Sequence, residues 1–108
     1  MEKEIKDWIV GDILYYEYGY ERTNVAFYKI VKRTEKTFTL VEVESKVVSG
    51  DPMRQYYTAP ADSLKEIGEP VIARVCKYGV RFPGARIGIY YYNGKPRFAD
   101  TGYYYTGI

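Results

Sequence analysis

This chain of 108 residues is expected to be all-β, a small, strongly bent barrel of the Src-homology-3-like kind with five to seven short strands. Three observations carry that expectation. Runs rich in β-branched and aromatic residues recur along the chain. Turn signals separate them about every ten residues. Helix punctuation occurs at one place only, near residues 62–67.

The elements follow in order. "WIVGDILYYEY" has an apolar lead, a Gly-Asp turn and then a strand over Ile13–Tyr18. Gly19 breaks that strand, and a polar loop, Tyr20–Asn24, follows. Val25–Thr34 and Thr37–Glu44 form a hairpin turning at Glu35-Lys36. Alternation in its first arm is imperfect. Val25, Phe27 and Val31 share one face and Tyr28 and Ile30 the other, so either both faces are covered or a bulge shifts the register. Ser49–Pro52 is a turn and Met53–Ala59 a further strand. Ser63 and Glu66 match a capping box, with Gly68 at the helix end and Pro70 beyond it, which predicts one short helical turn near 62–67. Val71–Lys77 reads as a buried strand and Arg86–Tyr92 as another. Asn93-Gly94-Lys95 is a hairpin turn from which Arg97–Ala99 returns, and "TGYYYTG" ends the chain as an edge segment or tail. No repeat or linker interrupts the pattern, so residues 1–108 are expected to form one domain.

Composition narrows the chemistry. Histidine is absent and cysteine occurs once, at Cys76. Those two facts exclude His-based triads, Cys/His zinc sites and an internal disulfide. The serines have no nucleophile elbow. "GIYYYNGKP" fails as a phosphate loop, because five residues separate Gly88 from Gly94 and Pro96 follows Lys95 where Ser or Thr should hold magnesium. Glu42 and Glu44 lie two apart on one strand face, where they could pair as acid and base, but like-charged exposed carboxylates are common on a hairpin. The expectation is a protein that is not an enzyme, with no catalytic residues, no metal and no cofactor. The charged N-terminal stretch "MEKEIKDW" is no signal peptide and no apolar run suits a membrane helix, so a cytoplasmic location is expected.

Tyrosine is the anomaly, at 14 residues, several in runs: Tyr15-Tyr16, Tyr56-Tyr57, Tyr90–Tyr92 and Tyr103–Tyr105. Neighbours on a strand point to opposite faces, so each run is expected to place a phenol outside the core, where such rings suit binding. Charge is uneven as well. Residues 73–108 hold six basic side chains (Arg74, Lys77, Arg81, Arg86, Lys95 and Arg97) against one acid, Asp100, together with seven tyrosines. Basic charge interleaved with rings is what a nucleotide or single-stranded nucleic acid requires.

The motifs Gly11-Asp12-Ile13, Gly19-Tyr20-Glu21-Arg22-Thr23-Asn24, Phe27-Tyr28-Lys29-Ile30-Val31 and Lys36-Thr37-Phe38, with Tyr92-Asn93-Gly94-Lys95-Pro96 and Thr101-Gly102-Tyr103 further on, resemble a family of small phage, prophage and bacterial mobile-element proteins. The resemblance spans nearly the whole chain, and Gly-Tyr-x-x-Thr-Asn is its most specific part. Tyr92-Asn93 stands where the family has Trp-Asp, and Arg74 stands without the family's cluster of arginines. The resemblance implies a mobile-element origin and brings no activity with it.

Three functional expectations follow. The first is a non-catalytic binding protein that counters host defence, either sequestering a nucleotide-like small molecule or blocking a host protein. The second is a nucleic-acid-binding barrel using the basic final third. The third is a structural or assembly protein of the phage particle, in which strand edges pair into a homo-oligomer. For the first, Tyr20, Arg22, Thr23, Asn24 and Tyr28 are expected to form one lip of a pocket and Tyr92, Arg97 and Tyr103 the other. Rings would hold a base and Arg a phosphate. The competing structural reading of the loop is that Thr23 and Asn24 bond local backbone and hold its entry into the strand.

Overall fold

The computed structural model describes residues 3–19, 22–77 and 79–101. It is nearly all-β, built on a strongly curled, nearly closed six-stranded sheet. Nine strands follow one another: β1 (Ile13–Tyr18), β2 (Asn24–Arg33), β3 (Thr37–Val43), β4 (Ser45–Gly50), β5 (Gln55–Pro60), β6 (Val71–Cys76), β7 (Gly79–Arg81), β8 (Tyr90–Tyr91) and β9 (Arg97–Asp100). The larger sheet runs β7-β6-β3-β2-β1-β8, and β4-β5-β9 form the smaller one. Every named pair is antiparallel. Val80 and Ile89 bridge the two ends of the larger sheet, with the Ile89 N–H donating to the Val80 carbonyl at 2.8 Å. That bridge brings the curl almost to closure.

The barrel interior holds Trp8, Leu14, Ile30, Phe38, Leu40, Ala73, Val80 and Ile89, all nearly inaccessible. A turn of 3-10 helix, Ile5–Asp7, leads into Trp8, whose ring lies 5.4 Å from that of Phe38. A second cluster, Tyr15, Phe27 and Val43, lies on the outer face, joined by Ile13, Val25, Leu64 and Tyr92. Both alternatives raised by the imperfect alternation of β2 are therefore realised. Its two faces are both covered, and the β2–β3 register slips between Ile30 and Lys32. The slip adds twist where the sheet must curl.

The smaller sheet grows out of the larger one. The chain passes from β3 to β4 through Glu44 alone. Its N–H donates to the Lys65 carbonyl at 2.9 Å, and its carbonyl accepts from Ala61 N–H at 2.8 Å. Thr23 and Asp100 exchange a reciprocal pair of backbone bonds, each 3.0 Å, which joins the start of β2 to the end of β9.

Several expectations are corrected. Among the described residues there are nine strands, not five to seven, because β4 and β7 are segments whose sequences carry no alternation. The helical turn near 62–67 is instead a β-turn, in which Leu64 N–H donates to the Ala61 carbonyl at 3.0 Å, followed by a bridge from Glu66 to Val43. Lys65 carbonyl and Ile67 N–H, which a helix would need for itself, are bonded to Glu44 and Glu42. β6 is not a buried strand: Ala73 is its one fully buried residue, and Ile72 is 53% exposed. The Asn93–Lys95 turn does form, with Asn93 Oδ1 accepting from Lys95 N–H at 3.1 Å. Its flanks do not pair with each other. β8 adds to β1 and β9 to β5, because each finds an open edge there. The terminal "GYYYTG" lies outside the described residues.

Gly19 holds φ at +126°, and a Cβ there would collide with the carbonyl oxygen of Arg22. Gly19→Ala is expected to cost at least ~1 kcal/mol, read as a lower urea midpoint at unchanged slope. Phe27→Ala, which empties the centre of the outer cluster, is expected to cost about 3–5 kcal/mol; a loss below about 1 kcal/mol in the same urea titration would show that this cluster does not hold the sheets together.

Candidate functional site

Beyond β7 the strands part. β6 pairs with β7 only through Arg74, Val75 and Cys76, so Val71–Ala73 keep β3 as their one strand partner. Phe82 and Pro83 turn away from β6 at this point. A cleft of about 510 Å³ opens between them, lined by Tyr16, Tyr28, Val71, Ile72, Phe82 and Pro83. Among the described residues no charged side chain is part of that lining.

Strand geometry places its rings. Leu14, Tyr16 and Tyr18 alternate along one face of β1, and Tyr28 stands directly opposite Leu14 on that face. Four rings then form a connected series. Tyr18 stacks on Tyr16 at 5.4 Å with an interplanar angle of 17°. Tyr16 meets Phe82 edge-on at 5.2 Å, and Phe82 meets Tyr28 at 5.1 Å. These separations and angles are those of favourable quadrupole contacts.

Glu42 is the cross-strand partner of Tyr28 on the same face. Partial burial raises the Glu42 carboxyl above its ordinary range. The Tyr28 phenol is pushed up to about 12, first by desolvation and then by the charges of Glu42, Tyr18 and Tyr16. A phenol so shifted is a poorer base and nucleophile at neutral pH.

The residues expected from sequence are divided by the fold. Tyr28 lies in this cleft. Tyr92 lies on the opposite face of the sheet, edge-on to Phe27 at 5.2 Å, beside a second opening of about 450 Å³ that includes Ile13, Lys46, Asp62, Leu64 and Pro96. Desolvation raises the Tyr92 phenol, and the Lys46 charge partly offsets it. Arg97 is also on the outer face. Its guanidinium lies 4.2 Å from the centre of the Tyr15 ring and 3.3 Å from Glu17. Thr23 spends both backbone groups on Asp100, Asn24 opens β2 opposite Tyr18, and Arg22 is exposed. Tyr20 and Tyr103 lie outside the described residues. The structure thus brings Thr23 and Asn24 close to β9, and it places Tyr28 and Tyr92 on opposite faces of one sheet.

Sequence reasoning missed Tyr16, Phe82, Val71, Ile72 and Pro83. Tyr16 carried a signal, since one ring of Tyr15-Tyr16 had to leave the face chosen by the other. Tyr15 is buried in the outer cluster while Tyr16 lines the cleft. Phe82-Pro83 carried none, because its position depends on where β7 ends.

Comparison with family models, curated proteins and solved structures finds no match to this chain. Among the described residues no helix is long and apolar enough to cross a membrane.

The raised Tyr28 phenol gives a pH dependence. Its folded value exceeds the ordinary 10, so its contribution to stability is complete below pH 10 and is lost as pH rises toward about 12. In a 295 nm titration, Tyr28→Phe is expected to remove a phenol that ionises near pH 12. Loss of a phenol titrating near 10 would mean that Tyr28 is freely solvated.

Proposed function

We propose that this protein acts by binding, with no chemistry of its own, and that its ligand is a nucleotide-like small molecule whose flat ring enters the Tyr16–Tyr28–Phe82 cleft. The carrying observation is the cleft itself. About 510 Å³ is within the range of small-molecule sites, and its walls are aromatic rings and aliphatic side chains. Such walls accept a planar ring by stacking, whichever base it is. In the setting suggested by the resemblance to phage and mobile-element proteins, the protein would work in the host cytoplasm, removing a signalling nucleotide from a defence response.

A second reading is that the same cleft takes an apolar side chain of a host protein and blocks that protein. Ile72, 53% exposed, and Val71, 38% exposed, favour it, since they extend the apolar surface beyond the cleft.

Native mass spectrometry of the freshly purified protein, followed by titration with a panel of mono- and dinucleotides, tests the first reading. A nucleotide is expected to bind at one site per chain, and Tyr16→Ala to weaken it about tenfold, the weight of one base–aromatic stack. Nucleotide affinity unaltered by Tyr16→Ala and Phe82→Leu, with circular dichroism unchanged, would remove the cleft from the site. A panel without any binder, together with capture of a host protein that Ile72→Asp abolishes, would favour the second reading.

A further inference from the structure

Arg74 on β6 and Arg81 on β7 are directly opposed in register. Opposed residues of an antiparallel pair project from the same face with Cβ atoms about 5 Å apart. Two like charges so placed repel, and a carboxylate beside them would offset the repulsion. Lys3, Lys29, Lys46 and Arg97 each have one, at Asp12, Glu66, Asp62 and Glu17. Among the described residues neither Arg74 nor Arg81 makes an ion pair. Arg81 is half-buried, and its Nε is shielded from solvent with no hydrogen-bond partner. A guanidinium partly stripped of water and next to a second one gains more from an anion than a freely hydrated one does.

The rest of this face has the same sign. Outward positions alternate with the buried Phe38, Leu40 and Ala73. Across the strands, Lys32, Thr39 and Ile72 stand side by side, then Thr37, Arg74 and Arg81. No acid is among these six positions.

We propose that Arg74 and Arg81 form a phosphate site, serving the phosphate of a free nucleotide. The link to a nucleotide rests on the reading of the cleft given above. Ile72, a wall of the cleft, is two residues from Arg74 on the same strand face, and Arg81 immediately precedes Phe82, another wall. A ligand with its ring between Tyr16, Tyr28 and Phe82 meets the two guanidinium groups as its polar end leaves the cleft over Ile72. Planar forks from adjacent strands suit the several oxygens of a phosphate or diphosphate.

The test uses inorganic pyrophosphate, adenosine, ADP and a short oligothymidylate, titrated at fixed ionic strength into the full chain and four variants: Arg74→Gln, Arg81→Gln, Lys95→Gln and Tyr16→Ala. Binding is read by calorimetry and by the arginine Nε–H signals in NMR. Pyrophosphate is expected to saturate and shift the Arg74 and Arg81 signals, and each Arg→Gln change to weaken it about tenfold. Lys95→Gln, at the distant Asn93 turn, should leave it unchanged. Tyr16→Ala should weaken ADP and adenosine while leaving pyrophosphate alone. Saturable pyrophosphate with no gain from the adenosine moiety would keep the phosphate site and reject the cleft as its neighbour. Pyrophosphate that fails to saturate, or that weakens equally in Lys95→Gln, overturns the phosphate site. Oligothymidylate binding far tighter than ADP, with a steep salt dependence, overturns the nucleotide assignment in favour of nucleic acid.

Discussion

Burial of β1, β2 and β3 on both faces is the constraint on which the rest of the structure depends. A small barrel has room inside for one layer of side chains. Here Leu14, Ile30, Phe38 and Leu40 fill it. The residues between them would meet water if nothing else were present. Instead Tyr15, Phe27 and Val43 gather a second cluster, over which the chain lays Leu64 and Tyr92. Each large apolar side chain removed from water contributes roughly 1.5–3 kcal/mol, so the second cluster adds substantially to a core of this size. It also dictates topology. A second layer must be supplied from the same chain, and the bend at Glu44 delivers β4 and β5 to that side.

The motif Gly19–Asn24 takes its meaning from that arrangement. Its described residues act at the junction of the two sheets. Gly19 supplies a backbone conformation in which a side chain would strike Arg22, and Thr23 ties β2 to Asp100 of β9. That tie uses only the Thr23 backbone, so any residue except proline could supply it. Arg97, neighbouring the same junction, is held by Glu17 and by the Tyr15 ring. Its charge is thus answered internally, whereas among the described residues no carboxylate pairs with Arg74 or Arg81. The contrast separates an arginine that holds two layers together from a pair placed to meet something outside.

The cleft is a consequence of incomplete closure. Val80 and Ile89 join the ends of the curled sheet over a short length. Where β7 stops at Arg81, the wall has no further strand to continue it, and Tyr16, Tyr28 and Phe82 come into view. Rings are apt there. They can close against one another by edge contacts and still offer a face to a visitor. Tyr28 and Glu42 each lose hydration there, which raises both proton affinities, and the Glu42 charge raises that of Tyr28 further.

The sequence by itself determined the local chemistry. The strands β1, β2 and β3, the turn between β2 and β3, the Asn93–Lys95 turn and the all-β class follow from side-chain shape and turn preference, which act over a few residues. It also singled out Tyr28, which the fold places in the cleft, and showed that one of Tyr15-Tyr16 must leave the other's face. The tertiary structure decided what depends on distant partners. Asn93–Lys95 turns the chain as its residues require, yet its flanks join different sheets because the open edges of β1 and β5 are elsewhere in the molecule. Ser63–Glu66 has a helix signature, yet Glu42 and Glu44 hold the backbone groups around Glu66. Tyr28 and Tyr92 looked like two lips of one pocket, and the sheet stands between them. Arg74 and Arg81 are seven residues apart with nothing local to unite them, and only the β6–β7 register sets their charges side by side. Pairing of strands is a long-range choice made by the burial of whole faces, and no window of neighbouring residues contains it.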